Sequence, residues 1–420
     1  MLTKFDLENP VFCRRMGTII AIAAIMLFLV LSLVRPYPSG SSLKDVLVNH
    51  GDDWYTYANN AMIIKHEGIF MPSLKTPYYG PSGFLYSYFI ALCLTLFGEK
   101  LLPVLVVQHV MLGISIALFY WTFRDKMKGL TGLAFLCTMI AFGFLDVYKY
   151  YSPRLLSENL SLFLTALFFF CFVKGFEKNV FKLQLASAAC LGVSILVRPN
   201  IALYGVVLLS ILIYNYFKQG GSGIIRAVLF ISVFAISVSF LGVRNYIICK
   251  SWIFLPTLFS FNYLISFNPI PSSVDLSRVE TNFMYAKLHF KKEIVMFIEY
   301  LLQRPALFIG HYADRILFCF GFLPVLAPAY HTRPHWIVMW LGYFYYLILL
   351  FKNRQKIPLW ELSVHLFILL YYIPLLNTNV QNYGFRMLIP VTNLVLMFAF
   401  IALDRIKYPH KALEGRKELV

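Results

Sequence analysis

The chain has 420 residues, of which 59% are hydrophobic and only 14% charged, with a formal net charge of +17. Together with a mean hydropathy of +0.69, this excludes an ordinary soluble domain, whose charged fraction is about a quarter. The positive balance does not call for a nucleic-acid partner, because the bases lie in short connections between apolar runs rather than on one basic face; topology and anionic lipid account for it.

A hydrocarbon core about 30 Å thick takes roughly 17 to 25 apolar residues per helix. Ten runs free of Asp, Glu, Lys and Arg therefore predict spans at 17–34, 101–123, 129–145, 159–173, 183–197, 200–217, 227–243, 335–351, 362–380 and 387–403. The first follows Lys4, Arg14 and Arg15 and runs to Val34 without a small-residue cleavage site, so it reads as a retained signal anchor. Between it and the second span, residues 35–100 form a first outer loop that contains the apolar segment 83–98, GFLYSYFIALCLTLFG. A second ambiguous segment, 305–328, is interrupted by His311, Asp314 and Arg315. The fold class is all-α, one integral membrane domain over 1–420. It comprises a module at 17–243, an outer region at 244–334 with an exposed excursion at 271–292, C-terminal spans at 335–403 and a tail at 404–420. The seven cysteines fall singly, with no CxxC spacing, which gives neither a disulfide framework nor a zinc site.

Parity fixes the arrangement. If 83–98 lies along the outer surface as a helix that does not cross, the connections RDKMK (124–128), KGFEKNVFK (174–182), KQGGSGIIR (218–226) and KNRQK (352–356) fall on one side with both termini. Short-loop Lys and Arg mark the cytoplasmic side. The opening stretch GDDWYTYANNA, the segment DVYKYYSPRLLSEN (146–159), the turn VRPN (197–200), VRNYIICKSW (243–252) and NTNVQNYGFR (377–386) then share the extracytoplasmic side.

The polar residues of that side are Asp52, Asp53, His66, Lys75, Glu158, Arg198, Arg244 and Arg386. An acid near several arginines suits group transfer from a phosphate-linked lipid: a carboxylate takes the proton of an attacking hydroxyl, and guanidinium groups stabilise a departing phosphate. Simpler roles stand beside these. Asp52 and Asp53 precede a helical stretch and fit capping, and Glu158 fits a first-turn acid beside the helix dipole. Arg198 fits interfacial snorkelling. His109, inside a span, reads as a bonded core histidine. Tyr55 and Tyr57 are candidates to line a ligand pocket, while most of the 40 Phe and 27 Tyr read as span packing and interfacial belt.

Taken in order, GDDWYTYANNA, TPYYGPSGFLYSYFIALCLTLFG, SPRLLSENL, LGVSILVRPN, GVRNYIICKSWIFLP and YGFRMLIPVTNLVLMF resemble the landmarks of the GT-C superfamily of polyprenyl-phosphate-sugar-dependent glycosyltransferases, of the protein mannosyltransferase and aminoarabinose transferase type. The resemblance covers about residues 45 to 400 and implies an inverting transferase working on a polyprenyl-phosphate sugar donor and an extracytoplasmic acceptor. It implies Asp53 as general base, with Tyr57 four residues on, and Asp52 as the nearest substitute. Glu158 matches the acid of the second outer loop, and Arg198, Arg244 and Arg386 match basic positions near the donor phosphate, with Lys75 and His66 as further candidates. The chain departs from the many relatives that carry a large soluble C-terminal domain. No metal or other cofactor is expected, since arginine already supplies the positive charge. Two other classes remain open: a transporter or flippase of lipid-linked saccharide, which needs midplane polar groups and internal symmetry, and a catalytically inactive scaffold of the same type.

Overall fold

The computed structural model describes residues 9–34, 53–73, 84–144, 157–250, 334–353, 357–376 and 389–407, together with residues 155, 252, 302, 305, 306 and 313. Its regular elements are helices. They are α1 (Pro10–Val34), α2 (Asp53–Glu67), α3 (Phe84–Phe97), α4 (Leu101–Phe123), α5 (Gly129–Thr138), α6 (Glu158–Glu177), α7 (Phe181–Val197), α8 (Ala202–Phe217), α9 (Gly221–Cys249), α10 (Pro334–Asn353), α11 (Leu359–Leu376) and α12 (Ile389–Lys407). A 3₁₀ turn at Arg124–Lys126 follows α4, and a π-helical turn at Met139–Phe144 continues α5. Each of the ten apolar runs coincides with a helix over its described residues, and 83–98 is α3. Five stretches are long and apolar enough to cross a membrane: Pro10–Val34, Leu101–Lys126, Glu158–Glu177, Pro199–Phe217 and Gly221–Cys249. The segments 271–292 and most of 305–328 lie outside the described residues.

Local chemistry sets the helix ends. Asn9 caps α1 by accepting the N–H groups of Val11 at 3.0 Å and Phe12 at 3.3 Å, with Pro10 at the first helical position. Inside the bundle, hydroxyls return to their own helix: Ser115 donates to the Met111 carbonyl, Thr122 to Leu118 and Ser194 to Cys190. Each thereby satisfies itself without water. His109 is fully buried, with Nδ1 2.6 Å from the Leu105 carbonyl.

Because lipid gives no hydrophobic drive between helices, close packing depends on small residues. A side chain at Gly113 on α4 would come within 2.7 Å of the Ile25 backbone on α1, and one at Gly17 on α1 would collide with the Tyr120 hydroxyl. The main core runs through α1 and α4–α12. Near its end, Glu361 accepts the Tyr346 hydroxyl, which in turn takes a bond from Arg405 at 3.1 Å, tying α10, α11 and α12 together.

A second core places the first loop. Tyr57, Ala61 and Ile64 of α2 and Tyr86, Ile90 and Leu94 of α3 pack with Leu101 and Leu105 of α4, Leu160 of α6, Val197 of α7 and Leu241 of α9. Those partners are the start of α4, the start of α6 and the ends of α7 and α9, so the α2–α3 pair sits across one end of the bundle. At fourteen residues, α3 is about 20 Å long, shorter than the hydrocarbon core. The opposite end gathers the basic connections. Asp125 meets Lys174 at 3.0 Å and Arg14 at 3.5 Å, Lys126 meets Glu177, and Asp404 accepts the Lys128 backbone N–H at 3.0 Å.

Candidate functional site

The end covered by α2 and α3 carries charge that is buried. Arg198 is placed by the residue after it. A residue before proline is pushed out of the α region, so α7 stops at Val197 and Arg198 is extended (φ −138°, ψ 98°), its N–H still bonded to the Ser194 carbonyl at 2.7 Å. Its side chain leaves the helix axis and pairs through Nη2 with Oε1 of Glu158, the first residue of α6. Both are 3% exposed. An ion pair so withdrawn from water costs several kcal/mol of desolvation per ion, regained only by good geometry and further hydrogen bonds.

Tyr371 of α11 lies in the field of both Arg198 and Glu158, and Tyr86 of α3 lies in that of Glu158. The Tyr371 hydroxyl is buried with no hydrogen-bond partner among the described residues. Tyr86 donates to Oε1 of Gln108 on α4 and meets Tyr57 edge-on, ring centroids 5.0 Å apart. Tyr57 is buried one helical turn after Asp53, the first residue of α2. The helix that starts at Asp53 thus packs through Tyr57 on Tyr86, whose hydroxyl is held by Gln108. Tyr55 is half-buried on the same helix.

Arg244, near the end of α9, is 1% exposed and holds the turn after α2. Its Nε donates to the Phe70 carbonyl at 3.1 Å, Nη2 to the Met71 carbonyl at 3.3 Å and Nη1 to Asn245 Oδ1 at 3.0 Å. Glycine at 68 and a left-handed Met71 (φ 47°) bend the chain so that those carbonyls are presented. His66 sits thirteen residues beyond Asp53 on α2, about 20 Å away at the rise of an α-helix. It is exposed and shares Glu99 with Lys65, the Lys65 ammonium at 2.9 Å and the His66 ring at 3.8 Å. Asp52, Lys75 and Arg386 lie outside the described residues.

Among the sequence candidates, the structure pairs Glu158 with Arg198, sets Tyr57 against Tyr86, holds the first loop on Arg244, and keeps His66 at the far end of α2. It adds Tyr86, Gln108 and Tyr371. Gln108 carried the one available signal, an amide in an otherwise apolar run.

Residues 81–260 match the family model for dolichyl-phosphate-mannose-protein mannosyltransferase, a family of GT-C type. The matched stretch begins ahead of α3 and runs past α9, so it includes Glu158, Arg198 and Arg244 and begins after Asp52 and Asp53. With the apolar helices, the match supports an integral membrane glycosyltransferase of the GT-C type. A search of curated proteins returns no match.

Proposed function

We propose that this protein transfers a sugar, mannose in the first instance, from a polyprenyl-phosphate carrier to an acceptor at the extracytoplasmic face. The observation that carries the reading is the family match over 81–260, which contains the buried Glu158–Arg198 pair at the end of the bundle where α2 begins. In this reading the basic connections and both termini face the cytoplasm, and the α2–α3 end faces out.

Asp53 takes the proton of the acceptor hydroxyl as its oxygen attacks the anomeric carbon. The bond from that carbon to the carrier phosphate breaks, and the electron pair leaves with polyprenyl phosphate. One displacement inverts the anomeric centre. Asp52 is the alternative base, one residue away. Arg198 and Arg386 stabilise the phosphate, with Arg244 holding the loop and contributing charge at the same end, and Glu158 orients Arg198. Lys75 and His66 attract the anionic donor from the outer loop, and Tyr55 and Tyr57 border the sugar. No metal enters this scheme; guanidinium groups supply the charge.

The test is incubation of the protein in lipid with a panel of radiolabelled polyprenyl-phosphate sugars, followed by single-turnover transfer by Asp53→Asn. Loss of general-base catalysis costs on the order of 10² to 10⁴ in rate, with donor binding retained. Transfer at the parental rate removes Asp53 from the mechanism; a dead Asp52→Asn beside an active Asp53→Asn moves the base by one residue. Flip of donor across the bilayer without transfer overturns the enzyme reading.

A further inference from the structure

The basic end of the bundle is built from two unlike halves. In one, the cations are answered: Asp125 takes Lys174 and Arg14, and Glu177 takes Lys126. In the other, the turns between α6 and α7 and between α8 and α9 carry Lys178, Lys182, Lys218 and Arg226, and the chain has no Asp or Glu between Glu177 and Asp275. Among the described residues no carboxylate lies within ion-pair distance of those four cations.

The two turns are bound to each other. Arg226 Nη1 donates to Asn179 Oδ1 at 3.0 Å, and its guanidinium lies 5.5 Å from the centre of the Phe181 ring. Asn179 is left-handed (φ 51°) and ends α6 with the Val180 N–H returning to the Gly175 carbonyl at 2.9 Å, so the turn that carries Lys178 is closed by backbone bonds. Lys218 lies 4.5 Å over the Tyr214 ring, and Gly220 (φ 75°) makes the tight turn into α9. The charges are therefore held on ordered backbone. Beside them Tyr214, Phe217, Ile224 and Ile225 are exposed on the outer surface of α8 and α9. Exposed apolar side chains on membrane helices meet acyl chains, and cations directly above them meet headgroups.

We propose that the turns Lys178–Lys182 and Lys218–Arg226 form a binding site for the phosphate of an anionic phospholipid headgroup, the acyl chains running along Tyr214, Phe217 and Ile225. The lipid, rather than soluble phosphate, is the occupant because the cations and the exposed apolar residues are contiguous, and a free anion would use only the first. The site lies at the opposite end of the bundle from Arg198 and stands apart from the transferase reading.

The test titrates phosphatidylglycerol, phosphatidylcholine and inorganic phosphate separately into the protein in neutral detergent, with retained ligand counted by native mass spectrometry. The parental protein retains phosphatidylglycerol in preference to the other two. Each Lys or Arg near an anionic surface is worth about a fivefold change, so the triple variant Lys178→Gln, Lys182→Gln, Lys218→Gln binds phosphatidylglycerol roughly 100-fold more weakly. The corresponding Lys→Arg triple keeps the affinity, which separates charge from damage to the turns. A control pair at the far end, Lys65→Gln with Lys100→Gln, also keeps it. The proposal is overturned if the Lys→Gln triple binds as the parent does, if the control pair loses as much, if phosphatidylcholine is retained equally, or if inorganic phosphate alone binds as tightly as the lipid.

Discussion

The two ends of the bundle spend charge in opposite ways. At the basic end the Asp125–Arg14 pair stays wet, Asp125 39% exposed and Arg14 53%, and such pairs are worth about 0 to 1 kcal/mol; Glu361, buried there on the Tyr346 hydroxyl, is the exception. At the α2–α3 end Glu158, Arg198 and Arg244 are 1–3% exposed. The exposed pairs at the first end keep most of their hydration and cost little to form. Charges at the second carry a desolvation cost of several kcal/mol per ion, which makes them candidates for function.

The largest effect expected from this contrast is at the buried pair. Glu158→Gln leaves the Arg198 guanidinium buried without its counter-charge, and breaking one side of a buried pair costs about 3–5 kcal/mol. Thermal unfolding in detergent should show that loss, and the double variant Glu158→Met with Arg198→Met should recover most of it, since an apolar replacement of the whole pair is close to neutral. A single variant as stable as the parent would erase the difference between the two ends.

That pair also marks how far the sequence could be read. The ten helical runs were legible because hydropathy is a local property, and the stop at Arg198 was legible because proline acts on its neighbour. The partnership was not: Glu158 and Arg198 are 40 residues apart, and each alone fits a helix-end role. The partners of Arg244 were less visible still, being the backbone carbonyls of Phe70 and Met71, which no residue type announces. Tyr86 and Tyr371 were hidden among aromatics whose default is packing. The packing of α3 on α2 was not legible either, because its apolar sequence is that of a span and its partners Tyr57, Ala61 and Ile64 lie on a separate helix earlier in the chain.

Arg244 gives the next effect in size. Its three hydrogen bonds are charge-assisted and buried, and bonds to charged groups contribute about 1.5–3 kcal/mol each in favourable cases. Arg244→Met should therefore free the turn at 68–73 from α9, seen as lost hydrogen-exchange protection there while the centres of α4 and α6 stay protected. Unchanged protection at 68–73 would show that the second core alone holds the loop. At the basic end, Asp125→Asn should change unfolding by no more than about 1 kcal/mol, although it removes a partner from both Lys174 and Arg14. A loss equal to that of Glu158→Gln would mean that burial does not separate the two ends.

The smallest effect tests whether the α2–α3 end is ordered by charge even where it is exposed. Glu67 ends α2, and the Ser73 backbone N–H donates to its Oε2 at 2.9 Å, closing the turn whose carbonyls Arg244 holds. Hydrogen bonding from Ser73, backbone first, holds the Glu67 carboxyl below its usual range, slightly opposed by desolvation. A group whose pKa is depressed by folding stabilises the folded form above its unfolded value and stops doing so as pH falls through the folded value. Protection of the 68–73 amides, corrected for intrinsic exchange, should therefore be constant near neutrality and decline as pH falls below the ordinary carboxylate value of about 4.3, on through the lower value of the folded state. Glu67→Gln should keep the turn through its amide oxygen and flatten that decline. A parental decline that persists in Glu67→Gln would assign the acid sensitivity to another carboxylate near this turn, and protection unchanged down to the acid limit would show that Arg244 and the packing of α2 hold the turn without Glu67.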